Sequence, residues 1–403
     1  MPALLSATDL LDRRTLENPY PFYNRLREEA PVWQVPGTKI FIVSSYTLLD
    51  AATKRTGDFS SRMTSVLYRK PGGKPGRLFR SSGVLEVLAT ADPPLHTRHK
   101  SAVMPNFTAK RIAGLQNEIE RLAEARITTC LAQGKTDFMS SIANPLPMEV
   151  VSNLVGFPEG NTDRLLQAAF DSTAIVGGSS SIFQLFWYMC RSYYINRWIA
   201  GKLSATSTDS SSILGAIKRG IEDGTLREVE GRAFLHLFLA AGGESTTSLL
   251  GSAVRILADD TALQQSLRDQ PELIPAFIEE VLRLESPFRY HLRSTPRDTK
   301  LGDTPIPAGS TVLLFWGAGN RDPEVFENPD SLDLNRPRRH LTFGRGIHTC
   351  IGAPLARLEA QTVLGKLLEK TSTILLDPKS PPRWVESAQV RRYDKLPLIL
   401  TPR

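Results

Sequence analysis

Cysteine is scarce in this chain. Cys130, Cys190 and Cys350 are the only three in 403 residues. They are far apart and form no C-x-x-C pair, which argues against a disulfide framework and a cysteine-rich zinc site. A cysteine with a task here works alone. Long apolar runs are also missing: no stretch of eighteen or more apolar residues occurs, so a membrane-spanning anchor is not expected. The N-terminal "MPALLSATDLLDRRTLENPYPF" has acidic residues early and lacks the basic, apolar, small-residue progression of a secretory leader. The expected location is the cytoplasm. No nicotinamide or flavin fingerprint is evident, so any electrons used must come from other chains. The net charge is +7, but the cations are scattered among acids and no DNA- or RNA-binding motif is present. An acidic protein partner explains that balance as well as nucleic acid does.

The chain does carry helical periodicity, mainly from about residue 110 to 290. "AKRIAGLQNEIERLAEARITTCLAQG" spaces its apolar residues by three and four and ends on a glycine stop. Strand-like pieces stand apart, at "KIFIVSSY" and at "GSTVLLFWG" after a turn-rich segment. The pattern predicts a mainly α chain with small sheets. Residues 69–83, "RKPGGKPGRLFRSSG", and 176–181, "VGGSSS", have the most flexible compositions and are expected to be mobile loops within one domain spanning 1–403.

The densest signal is "FGRGIHTCIG", residues 343–352. A thiolate can ligate haem iron, where it pushes electron density toward bound dioxygen. Such a ligand needs a preformed nest. Gly344, Gly346 and Gly352 would permit tight turns, close approach to a flat macrocycle and amide N–H groups aimed at the sulfur of Cys350. The following "APLARLEAQTVLGKLLEK" is helical in pattern and would set the sulfur near a helix N-terminus. A buried cysteine in a glycine-rich turn is the bland alternative. The combination F-G-x-G-x-H-x-C-x-G should arise by chance in roughly one chain in several hundred thousand, which disfavours it.

With this loop the sequence resembles the cytochrome P450 family, and the resemblance extends over nearly the whole chain. It implies the P450 fold, with haem b (iron protoporphyrin IX) between a long distal helix and the cysteine loop, and Cys350 as iron ligand. In "EEVLR" the family's E-x-x-R pair falls at Glu280 and Arg283, closed by the meander "NRDPEVFENPDSLDLNR" with Arg336 as third member; all three are expected to be structural. "LAAGGESTT" matches the distal-helix motif, with Glu244 and Ser245 as proton-delivering acid and alcohol and Thr246 as a second candidate alcohol. The glycines suggest a local groove, or alternatively a helix-packing notch. Phe343, Gly344 and Gly352 are expected to cradle the cofactor beside Cys350. Its carboxylates are assigned to His96, Lys100, Arg293 and His348. Lys100 departs from the family, which has an arginine there, and puts a point-like ammonium in place of a planar fork.

Substrate contacts, by the same resemblance, fall at about 62–88, in "SIFQLFWYMCRSYYINRW" and around Phe288–Leu292. The aromatic stretch fits helix core equally well. The implied activity is monooxygenation of a mostly apolar small molecule by O2, with electrons from a ferredoxin and ferredoxin reductase. Arg111, Arg338, Arg339, Arg345 and Arg357 are candidates for a basic ferredoxin-docking patch. A peroxide-driven P450 and a haem-binding sensor without turnover are the alternatives. The retained Glu244–Ser245 pair disfavours the first, and a substrate-bound protein that reduces normally yet forms no product would favour the second.

Overall fold

The computed structural model describes residues 5–79, 85–158 and 160–403. Its axis is the helix Glu228–Asp259, 32 residues long. Phe234, Leu235, Phe238, Leu239, Leu249, Leu250, Val254 and Leu257 are buried on several sides of it, as expected of a helix enclosed by others. Helices Pro145–Val155, Thr162–Val176 and Ala353–Lys370 pack against it. Two glycines of the distal motif serve this packing. A Cβ on Gly243 would lie 2.3 Å from Met148 Cε and one on Gly242 2.8 Å from Val151 Cγ2, so they are a notch for the helix Pro145–Val155. The central helix runs unbroken through them.

The helical stretch near residue 110 is split, with Ala109–Ala113 and Gln116–Gln133 separated at Gly114–Leu115. Gly134 ends the second piece with φ +69°, the left-handed conformation that glycine accepts without strain. Both strand-like segments join one sheet. Ile40–Val43 runs parallel to Thr311–Leu314 in the register Ile40↔Thr311. Val32–Gln34 and His291–Ser294 flank that pair antiparallel. The central two strands are buried at every residue, hence their unbroken apolar reading. A second sheet joins Lys135–Asp137 to the C-terminal strands Thr371–Leu376 and Pro397–Pro402.

Neither glycine-rich segment is the open loop its composition suggests. The first forms a hairpin, Ser65–Arg69 against Pro75–Phe79, turning through Gly72 and Gly73 at positive φ; its residues 80–83 lie outside the described part. The second is a pinned turn with Gly177, Gly178 and Ser180 buried. Tyr290 OH donates to Gly177 O at 3.2 Å, Arg69 N to Ser180 O at 2.9 Å and Ala388 N to Ser179 Oγ at 2.6 Å. Tertiary partners remote in sequence replace the solvent that such a composition otherwise prefers.

The region below the cysteine loop is knit by Arg283, which is fully buried with all five of its N–H donors engaged. Nε and Nη2 grip Glu280 at 2.8 and 2.9 Å, Nη1 donates to the carbonyls of Asn320 and Pro329, and Nη2 also to Ser331 O. Arg336 Nε and Asp333 N donate to Glu280 Oε2 at 3.2 and 3.0 Å. Burial pushes the Glu280 carboxyl up, but these partners outweigh it and hold it below its ordinary value. One side chain on the helix Ile274–Leu284 thereby fixes the meander 320–336. Glu280→Ala or Arg283→Ala should cost about 3–5 kcal/mol by stranding the buried partner. Arg283→Lys should also destabilise, because three donors cannot serve these acceptors. Urea unfolding checks this, and an unchanged midpoint would show the network to be dispensable.

Candidate active site

The cysteine loop is shaped by Gly344 and Gly346, at φ +69° and +71°. A Cβ on Gly346 would also meet Thr53 O at 3.2 Å. Cys350 N donates to Phe343 O at 2.9 Å and Gly344 N to Leu341 O at 2.8 Å, closing the loop on itself. Gly352 differs from the other two. Its φ of −83° is ordinary, and it caps the helix Ala353–Lys370. Burial pushes the Cys350 thiol up, while N–H groups of Gly352 and Ala353 and the charge of Arg357 act the other way. The sulfur thus faces two amides at a helix start, a setting that favours its anion over a bare apolar one.

Cys350 is exposed, and its surface faces a cavity of about 270 Å³. Ala241, Gly242, Ser245, Thr246 and Leu249 of the central helix form another wall. Phe343, Gly344, His348, Gly352, His96, Lys100 and Arg293 line the same space. Lys100 Nζ donates to Ile347 O at 3.0 Å and Arg293 Nη1 to Leu292 O at 2.8 Å, while His348 Nε2 pairs with Ser61 Oγ at 2.8 Å. The His96 and His348 rings stand 4.4 Å apart. Burial lowers Arg293 to about 10, and burial together with the neighbouring charges of Arg293, His96 and Lys100 lowers His348 to about 3. The nearby carboxylate, Asp92, is already bound by Ser60 Oγ and Ser61 N. Basic groups crowd one cavity without a direct acid partner among the described residues. A macrocycle with two carboxylates and a central iron, as in iron protoporphyrin IX, fits this donor set.

The acid of the distal motif is oriented differently from the alcohols. Glu244 is buried and does not line the cavity; Arg392 Nε donates to its Oε1 at 3.1 Å and Thr173 Oγ1 to its Oε2. Burial raises its carboxyl despite Arg392. Ser245 Oγ donates to Ala241 O at 2.7 Å, whereas the Thr246 hydroxyl has no protein partner among the described residues. Leu88, Val151, Leu154, Leu237, Phe238 and Phe288 give the cavity an apolar character. No residue of "SIFQLFWYMCRSYYINRW" lines it, so that stretch is not a wall of this cavity.

Several participants escape a reading of the sequence. Glu359 also lines the cavity, buried, with no partner for Oε2 among the described residues, and burial raises its carboxyl well above the ordinary value. Its only signal is an acid at an otherwise apolar position of the helix pattern, four residues after Leu355. Glu279 binds Arg357 through Nε and Nη2 at 2.6 and 2.9 Å and His340 Nε2 at 3.1 Å. Arg357, expected in a free basic patch, is therefore committed internally. Arg345 donates to Tyr46 OH, and Arg111 to Asn106 Oδ1 and Ser211 O. Arg338 and Arg339 are exposed.

Comparison with known proteins agrees with this geometry. The sequence profile described as Cytochrome P450 matches residues 222–392. Cytochrome P450 144 of Mycobacterium tuberculosis is 36% identical over 399 residues, covering 98% of this chain and 92% of that protein. A beta-dihydromenaquinone-9 omega-hydroxylase of the same organism is 32% identical, covering 99% of this chain and 79% of the relative. Among solved structures, cytochrome P450 CREJ in complex with (4-ethylphenyl) dihydrogen phosphate superposes with a TM-score of 0.88 at 26% identity, covering 96% of this chain and 98% of that one.

The Glu279 cluster sets a pH dependence. Burial alone would raise its carboxyl, but the hydrogen bonds and charges of Arg357 and His340 prevail and hold it at about 2, against an ordinary 4.5. The folded value is the lower one, so this stabilisation is complete above about pH 4.5 and is lost as pH falls toward 2. Glu279→Gln should cost roughly 3 kcal/mol at neutral pH, with the gap to wild type closing below pH 4. Urea unfolding from pH 7 to pH 3 measures it; a gap independent of pH would refute the assignment.

Proposed function

The chain belongs to the cytochrome P450 family of haem-binding monooxygenases, and from that premise we propose that it oxygenates a mostly apolar small organic molecule in the cytoplasm, as one domain spanning 1–403, with electrons from a ferredoxin and its reductase. One observation carries the reading: Cys350 shares a single cavity with Ser245 and Thr246, with basic side chains along the wall. Bound haem supplies the iron that binds and activates dioxygen.

The protein's own residues divide the remaining tasks. Cys350 would provide the iron ligand; burial raises its thiol, and the amides of Gly352 and Ala353 and the charge of Arg357 act the other way. Phe343, Gly344 and Gly352 would border the bound macrocycle, and Arg293, Lys100, His96 and His348 would hold its carboxylates. At position 100 this is charge attraction, since an ammonium cannot make the two parallel bonds of a guanidinium. The apolar walls exclude bulk water and suit a hydrocarbon-like substrate. The relative named for ω-hydroxylation of a menaquinone supports that substrate class.

Proton delivery falls to Ser245 Oγ, which donates to Ala241 O and can accept from a water on the cavity side. Glu244 serves as a reservoir behind it. For the carboxyl to hand on a proton it must leave Arg392 and Thr173, or water must enter between, so Arg392 is a positioning residue for this step. Adjacent helical residues point about 100° apart, so Ser245 and Thr246 cannot serve one centre equally. For electron entry, the exposed Arg338 and Arg339 support docking of an acidic ferredoxin. They are the cleaner targets for charge reversal, because altering Arg357 also strips Glu279.

Cys350→Ala should abolish the thiolate-specific absorption band of the reduced carbon monoxide complex; a mutant that keeps it has another ligand, and the reading fails. Turnover with ferredoxin, reductase and O2, set against peroxide alone, separates a monooxygenase from a peroxide-driven enzyme.

Coupling tests the distal assignment. Ser245→Ala should lower product per reducing equivalent several-fold and raise peroxide, Ser245→Thr should preserve coupling, and Thr246→Ala should matter less. A larger loss in Thr246→Ala reverses the roles of the two alcohols.

A further inference from the structure

The helix Ile182–Ala205 is built inside out. Ser181 fixes its start through a capping box with Gln184, Ser181 N donating to Gln184 Oε1 at 2.8 Å and Gln184 N to Ser181 Oγ at 3.3 Å. Leu185, Ile199 and Leu203 then face the core. The rest of its first half carries Phe183, Phe186, Trp187, Met189, Tyr193 and Tyr194, between 59% and 84% exposed. Six large apolar or amphipathic side chains within twelve residues, about 18 Å of helix, form a patch that a surface helix does not ordinarily show to water.

The helix and the hairpin beside it supply cations and no acid of their own. The helix contains Arg191, Arg197 and Lys202 and no acid. The hairpin Ser65–Phe79 lies beside its start, since Arg69 N donates to Ser180 O, and contains Arg69, Lys70, Lys74 and Arg77, again with no acid. Arg191 and Arg69 are paired, with Asp171 and Glu386. Lys70, Lys74 and Arg197 are exposed.

We infer that this aromatic, cation-flanked face docks on an anionic lipid bilayer, the helix lying in the interface. The chemistry fits such a surface: Trp and Tyr favour the boundary where one end of the ring is apolar and the other wet, and lysine and arginine meet anionic headgroups. A second copy of the chain is a poorer occupant, because a two-fold contact through this face would set like charges against one another. The described helices include none long and apolar enough to cross a membrane, so the contact is peripheral. The inference goes beyond the monooxygenase reading and does not depend on it, since vesicle binding needs no turnover.

The test is co-sedimentation of the full-length, haem-loaded protein with vesicles of phosphatidylglycerol and phosphatidylcholine, against phosphatidylcholine alone. Wild type should pellet with the anionic vesicles and be released by salt. The double substitution Phe186→Ser, Trp187→Ser should weaken binding about tenfold or more with an unchanged unfolding midpoint, since both side chains are already outside. Lys70→Glu with Lys74→Glu should weaken binding to anionic vesicles. Failure of wild type to pellet with anionic vesicles overturns the inference, as does equal pelleting of the Phe186→Ser, Trp187→Ser variant. Without vesicle binding, a dimer in sedimentation equilibrium that these serines dissociate would assign the face to a second copy.

Discussion

Keeping the Cys350 sulfur in place at the cavity wall is the constraint on which the rest of this structure depends. Its low-dielectric surroundings raise the thiol, and the local counterweight is a pair of amides from Gly352 and Ala353 with the positive end of a helix behind them. Those amides work only if the loop before them keeps its shape. The loop in turn leans on a floor with no regular secondary structure, the meander 320–336. That floor is held by Arg283, whose five donors span Glu280 and three meander carbonyls. Asn320 adds a joint, its amide donating to Ser286 and Thr342 while its Oδ1 accepts from Leu341 N. The cluster of Glu279, His340 and Arg357 fastens the other side. The position of Cys350 is thereby supported by two buried carboxylates that never touch it.

What the sequence made legible follows from distance along the chain. The cysteine nest needs only residues 343–353, and Glu280–Arg283 only one helical turn, so local spacing carried both. Ser245 and Thr246 could be placed because helical geometry ties them to their neighbours. The orientation of Glu244 could not be placed, since its partners are Thr173 and Arg392, 71 and 148 residues away. Arg357 illustrates the same limit, as its acid Glu279 lies 78 residues earlier. The turn 176–181 is composed like a mobile loop and is buried because Arg69, Tyr290 and Ala388 reach it from elsewhere. Composition reports what a segment tolerates; tertiary contacts decide what it does.

The distal glycines show how one feature can satisfy two readings. Gly242 and Gly243 permit close approach of the helix Pro145–Val155, a packing role that needs no ligand. Ala241 and Gly242 also line the cavity. Notch and groove are two sides of one absence of side chain.

Four of the buried glutamates then differ chiefly by partner. Glu279 and Glu280 meet guanidinium groups within 3 Å and are held below their ordinary values. Glu244 meets one guanidinium and a hydroxyl, which do not offset its burial. Glu359 meets neither and is driven furthest toward the neutral acid. Burial pushes each of these carboxyls up, and the donors each receives decide whether it anchors structure or remains able to carry a proton. The two that remain protonatable stand on the two helices that bound the cavity, the central one and the one that begins beside Cys350. The two held as anions lie together in the floor. The helix Ile274–Leu284 keeps these two kinds of carboxyl apart in space by placing Glu279 and Glu280 side by side against arginines.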